Sequence, residues 1–183
     1  MIVVADTSPF VGLINIGRVD LLATLFGRVI IPSEVLDELC SPRRPAAVRA
    51  FAATPPEWLE VRAPVTVEPI AELHAGERAA ISLARECGAG LLIIDETKGR
   101  EAARGRGLPV TGTIGILEAA ADRGIVQLED EFDRLKVVGF WVSPKLLDAR
   151  LTLFRERKRT QEQARKDRET LTSEQAAPAE GTG

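Results

Sequence analysis

Two short apolar runs end in an aspartate: Ile2-Val-Val-Ala leads into Asp6, and Leu91-Leu-Ile-Ile leads into Asp95, where Glu96 doubles the charge. Short β-branched runs read as buried strands, and open α/β sheets gather their ligands at the carboxyl ends of the strands. Both carboxylates are therefore expected on one edge of a parallel sheet. Glu77 stands at a predicted helix start and Glu38 on a helix behind another apolar run, so either can add a third or fourth carboxylate. An all-oxygen cluster suits Mg²⁺ or Mn²⁺, and several unpaired carboxylates in one crevice repel unless a cation stands among them. Such an ion can activate water beside a phosphodiester. Each acid also has a plainer reading. Asp6 can cap the following helix, Asp95 can cap a helix at Thr97, Glu77 can favour its helix dipole, and Glu38 can be a solvated face residue. It is the joint arrangement that points to a metal site.

The elements that must position these acids follow from periodicity and punctuation. Ser8 and Pro9 read as an N-cap and first-turn proline of a helix that starts directly after the first strand. Val19 to Phe26 reads as a second helix, Arg28 to Pro32 as a short buried strand, and Pro32-Ser33 as the start of a helix striped by Val35, Leu36 and Leu39. A short helix over Ala46 to Ala53 and an edge strand over Trp58 to Arg62 come next, then a proline-containing connection over Ala63 to Ala75. The segment from Gly76 to Gly88 is the clearest helix. A strand ending at Asp95, a helix over Thr97 to Arg104, a strand over Leu108 to Thr111 and a helix from Thr113 complete a βαβα alternation, which implies a parallel sheet covered on both faces.

With 183 residues, few aromatics and no tyrosine, the chain suits one α/β domain with an appendage. Residues 1–150 hold 17 basic and 21 acidic side chains, and residues 151–183 hold 7 and 6. The overall charge of −3 excludes a strongly basic nucleic-acid binder. Cys40 and Cys87 lack metal or disulfide spacing and read as small core residues. His74 is the only histidine and reads as a surface residue before a helix. Without a signal-like opening or a membrane-length apolar run, a soluble cytoplasmic protein with no membrane partner is expected. A last helix carries Leu147, Leu151 and Phe154 on one stripe; beyond it Arg155 to Arg168 is charged with bases in the majority, and Ala176 to Gly183 has a disordered composition. The boundaries expected are a domain over 1–154 and a charged helical extension with a tail over 155–183.

The segments Ile2-Val-Val-Ala-Asp6-Thr-Ser-Pro9, Val29-Ile-Ile-Pro-Ser-Glu-Val-Leu-Asp-Glu38-Leu39, Gly76-Glu77-Arg-Ala-Ala-Ile81, Leu91-Leu-Ile-Ile-Asp95-Glu-Thr-Lys-Gly-Arg100 and Val110-Thr-Gly-Thr113-Ile-Gly115 together resemble the PIN-domain superfamily. Within it they resemble the prokaryotic branch of VapC-like nucleic-acid-binding proteins. The resemblance implies a three-layer α/β/α, Rossmann-like fold with a mainly parallel central sheet. It further implies a Mg²⁺- or Mn²⁺-dependent ribonuclease, commonly the toxin of a toxin-antitoxin pair. RNA, a cognate antitoxin and a second copy of the chain are then the expected partners. By motif position Asp6, Glu38, Glu77 and Asp95 become the catalytic, metal-binding acids, and Ser8 and Thr113 the neighbouring hydroxyls. Two features depart from the commoner toxins: Glu77 stands where many relatives carry aspartate, and Asp95-Glu-Thr-Lys-Gly-Arg replaces their usual segment.

Lys98 and Arg100 follow Asp95 closely enough to meet a phosphodiester, although cations near a helix start can also be merely solvated. The Thr111 to Gly115 turn lacks a P-loop lysine and reads as a tight helix entry. Arg43, Arg44 and Arg49 form a small basic patch without interleaved aromatics, so base stacking is not expected there. Leu21, Leu22 and Leu25 are candidates for a dimer or antitoxin surface, with core packing as the alternative. Two other readings stand beside the nuclease. One is a non-catalytic binding module that keeps the fold and its acidic pocket. The other is a phosphatase using Asp6 as nucleophile, which normally wants a second acid two residues on, where this chain has Ser8.

Overall fold

Three-residue runs of fully buried apolar side chains form the middle of the sheet. In the computed structural model, which describes residues 1–175, β1 spans Val3–Ala5, β2 Val29–Ile31, β3 Leu59–Val61, β4 Leu91–Ile93 and β5 Val110–Thr111. All pairings are parallel and the order is β3-β2-β1-β4-β5. Val4 pairs in register with Ile30 on one side and Leu92 on the other, which places β1 at the centre between β2 and β4. β3 lies at the edge, as its mixed burial pattern requires.

Parallel neighbours need crossovers, and helices supply them. Helices α1 (Thr7–Asn15) and α2 (Leu21–Phe26) join β1 to β2, and α3 (Ser33–Cys40) and α4 (Ala46–Ala53) join β2 to β3. The chain then reverses direction across the sheet. Helix α5 (Ala75–Glu86) returns it to β4 and packs on β1 and β4, and α6 (Thr97–Arg104) leads to β5. Right-handed crossovers in opposite directions put α1 to α4 on one face and α5 and α6 on the other. Helix α7 (Thr113–Asp122) packs against α1 and α2, and α8 (Leu128–Val137) against α7. The result is the expected three-layer α/β/α architecture.

Apolar burial on both faces holds the layers together. Val4, Ile30, Ile81, Leu83, Leu92 and Ile94 share one core cluster beneath α5 and α6. On the other side Phe10 stacks on Trp58, with ring centroids 6.5 Å apart, and Phe51 closes the group at 5.8 Å from Phe10. Phe10 is fully buried, and such aromatic groups add to the area term by their geometry.

Several expectations need correction. Helix α1 begins at Thr7 with Asp6 at its N-cap, so Ser8 lies inside the first turn. Cys40 is exposed because α3 turns Leu39 inward and carries the next residue round to solvent; Cys87, at the C-cap of α5, is half-buried. Leu21, Leu22 and Leu25 are buried and belong to the core. Helix α8 lies outside the sequence expectations, since Leu128, Phe132 and Leu135 are its few apolar anchors among many charges. Its Glu131 is 1 % exposed and accepts two bonds from the guanidinium of Arg18, at 3.0 and 2.8 Å. Met1–Phe140 forms one compact unit and a second begins at Trp141, whose long helix α9 runs Pro144–Gln175. The expected disordered tail from Ala176 lies outside the described residues.

Candidate metal centre

The strand order reverses between β1 and β4, and a crevice opens at such a switch point beyond the strand ends. Asp6 leaves β1 there, and its backbone N–H donates to Ile93 O of β4 at 2.9 Å. This bond continues the ladder one residue past the strand and fixes the direction in which the chain departs. The Asp6 side chain is 3 % exposed, and the Ser8 hydroxyl donates to its Oδ2 at 3.1 Å. Burial foremost, then the charges of Glu77 and Glu38, raise its carboxyl from 3.8 to about 7 against the lowering effect of the Thr7 N–H and Ser8 hydroxyl.

Glu38 comes from the second turn of α3. Its Oε2 accepts the Thr7 hydroxyl at 2.5 Å and its Oε1 accepts the Gly76 N–H at 3.0 Å, tying α3 to the starts of α1 and α5. Gly76 is needed for this approach, because a Cβ there would lie 2.6 Å from Glu38 Oε1. Glu77 is 5 % exposed and closes a capping box, its Oε2 accepting the His74 N–H at 2.8 Å. The helix-start reading holds for Glu77: one oxygen caps α5, while its charge acts on Asp6. His74 itself is exposed at the N-cap.

Asp95 lies two residues past β4 and is 5 % exposed. It caps α7, not α6. Its Oδ1 accepts the Thr113 N–H at 2.8 Å and its Oδ2 the Thr113 hydroxyl at 2.7 Å. Burial raises its carboxyl, while the two Thr113 bonds and the positive charge of Arg100 oppose the shift. Thr113 is fully buried, and Gly112 leaves no room for a Cβ beside Asp95. The Thr111 to Gly115 turn is therefore a tight helix entry, as read from its sequence.

Two guanidiniums stand beside the acids. Arg44 Nε donates to the Glu38 carbonyl at 3.2 Å, and its Nη2 lies 3.9 Å from Glu38 Oε2. Arg100 reaches from α6 towards Ile94 O. Lys98 is exposed and pairs with Glu72 at 2.7 Å. Sequence reasoning missed Thr7 and Gly76 as partners of Glu38. A glycine directly before an acid at a helix start was the available signal.

Asp6, Glu38 and Glu77 thus form one electrostatically coupled group, and Asp95 stands with Thr113 and Arg100. The donors are all oxygens, and the Asp6 carboxyl is raised chiefly by burial, with the charges of Glu77 and Glu38 adding to it. In chemistry the group fits a hard divalent ion. Among the described residues no three acid, imidazole or thiolate groups converge into a ready-made cage. Thr7, Gly76, His74 and Thr113 hold carboxylate oxygens to protein donors instead.

A parallel α/β/α sheet with acidic side chains at its switch point defines a doubly wound fold with an acidic crevice. The sequence profile of DUF3368, a PIN-domain family, matches residues 2–156, and the chain belongs to that family. A solved structure of similar fold is a PilT N-terminus domain protein, SSO1118, from the hyperthermophilic archaeon Sulfolobus solfataricus P2. It is 21 % identical, with a TM-score of 0.50 over 67 % of this chain and 92 % of that one. No curated protein matches the chain.

Proposed function

We propose that the chain is a metal-dependent endoribonuclease of PIN type. The observation that carries this reading is the buried Asp6 carboxyl at the switch point, raised to about 7 by burial and by the charges of Glu77 and Glu38. Asp6, Glu38, Glu77 and Asp95 would hold Mg²⁺ or Mn²⁺, which when bound supplies a Lewis acid and a more acidic water. Ser8 and Thr113 steady the carboxylates of Asp6 and Asp95. Arg44 and Arg100 flank the acids, where guanidinium forks can meet the oxygens of an RNA phosphodiester and favour the charge that develops on them. Lys98 would join them on releasing Glu72, since an exposed pair is readily exchanged.

A role as the toxin of a toxin-antitoxin pair, acting in the cytoplasm as a homodimer, belongs to the same proposal. No helix among the described residues is long and apolar enough to cross a membrane. One observation favours the alternative, a binding module of low activity: both oxygens of Glu38 and both of Asp95 already accept bonds from the protein. Incubating the protein with mixed RNA in Mg²⁺ and in Mn²⁺, beside Asp6→Asn and an EDTA control, separates the two. Cleavage lost in the variant and in EDTA is the expected result. Intact RNA from folded, inhibitor-free protein in both metals would leave the binding module.

A further inference from the structure

The outer half of α9 sorts its charges. Residues 155–168 hold seven bases and three acids, a net +4 in a chain of net −3. Read along the sequence the signs are mixed, but the segment lies within one continuous helix, Pro144–Gln175. At 3.6 residues per turn, positions i, i+4, i+8 and i+11 share a face. Arg157, Gln161, Arg165 and Arg168 fall at those positions, with Lys158 two turns before Arg165. Of the two acids between 157 and 168, Asp167 lies on the far side and Glu162 borders the face, one turn beyond Lys158. Glu156 and Asp167, eleven residues apart, share a line on the far side. The four cations span about 16 Å of helix axis.

We propose that this face is an RNA-phosphate-binding arm. The inference rests on RNA being the substrate, as argued above, and it adds the surface that captures it. Residues 1–154 carry 17 basic and 21 acidic side chains, so a polyanion gains little from the domain that holds the acids. A phosphate backbone asks for cations and little else. A protein partner or a second copy would want apolar anchors at helical or heptad spacing, and between Arg155 and Arg168 the one apolar side chain is Ala164. Arg157, Arg165 and Arg168 are exposed and Lys158 is half-buried. Arg165 and Lys166 are 70 % and 61 % exposed, and their pairs with Glu169 and Glu162 are long, at 3.6 and 3.5 Å, of the exposed kind that a phosphate readily displaces. Arg157 and Lys158 stand over the Phe154 ring at 5.2 and 5.6 Å, which anchors the inner end of the face.

The test uses the full chain and a fluorescein-labelled 20-nucleotide single-stranded RNA of mixed sequence, in EDTA so that nothing is cut. Anisotropy is followed from about 50 to 200 mM KCl for the parent, for Arg157→Gln/Lys158→Gln/Arg165→Gln/Arg168→Gln, and for a variant carrying Lys at the three arginine positions. Four phosphate contacts at roughly 0.7 each make the slope of log affinity against log salt shallower by about 3 in the glutamine variant, with affinity at least tenfold lower at the lowest salt. The lysine variant keeps the parent's slope. Circular dichroism of the glutamine variant should be unchanged, since glutamine is a good helix former. An unchanged slope and affinity would overturn the inference, and a change of mass in light scattering alongside them would assign the face to a second copy. Absence of cleavage in Mn²⁺ with the slope difference intact would count against the nuclease and leave the arm standing.

Discussion

Replacing Asp6 by asparagine should stabilise the metal-free protein, and by an amount that grows with pH. The Asp6 carboxyl titrates near 7 in the folded chain and near 3.8 when unfolded. Between those values the folded state binds the proton and the unfolded state has released it, so this group's contribution to stability declines as pH rises through that window. At about 1.4 kcal/mol per unit the whole decline amounts to roughly 4 kcal/mol. Asparagine has no proton to lose and keeps an oxygen for the Ser8 hydroxyl. In EDTA the variant should exceed the parent by about 2 kcal/mol at pH 5 and about 4 kcal/mol at pH 8, read from urea denaturation at each pH. Groups not coupled to Asp6 titrate alike in both proteins and cancel in the difference. A difference that stays flat from pH 5 to pH 8 would refute the claim that Asp6 is buried among like charges.

Other perturbations have equally definite outcomes. Gly76→Ala pushes a methyl against the Glu38 carboxylate and breaks its bond to the Gly76 N–H; the glutamate can swing away, so urea denaturation should register about 1 kcal/mol while RNA cleavage falls much further. Thr113→Val removes the hydroxyl on Asp95 Oδ2 and leaves a buried carboxylate short of a donor, costing about 1 to 3 kcal/mol at pH 8 and less as the pH is lowered, since burial raises the carboxyl and favours its neutral form. Arg18→Ala leaves the buried Glu131 with only the long pair to Arg134, 3.8 Å from its Oε2, and should cost about 3 kcal/mol; Glu131→Gln, which removes the charge itself, should cost less in the same denaturation series.

How far the sequence carried depends on whether a residue acts through its own element or through another. Asp6 and Asp95 were readable because each follows an apolar run that could only be a buried strand, and parallel pairing then brings both strand ends to one edge. Glu38 was readable as a candidate carboxylate behind a strand but its contacts were not, because its partners Thr7 and Gly76 lie 31 and 38 residues away and nothing local announces them. The cap made by Asp95 was assigned to the wrong helix for the same reason. A cap at Thr97 is a local pattern, whereas the real recipient at Thr113 is reached only after β5 returns beside β4. Helix α8 escaped because Leu128, Phe132 and Leu135 sit in a ten-residue segment, Leu128–Val137, in which charge dominates, and its buried Glu131 looks like any other surface acid until Arg18 is placed against it.

The account turns on Asp6, Glu38 and Glu77 acting as one group that calls for a cation. Titrating Mn²⁺ into the metal-free parent and into Asp6→Asn at pH 7.5, by calorimetry in two buffers of different ionisation enthalpy, tests this directly. The account predicts saturable binding to the parent with part of a proton released from Asp6 on each event, and binding weakened at least tenfold with no such release in the variant. Equal Mn²⁺ affinity and equal proton release in the two proteins would contradict it.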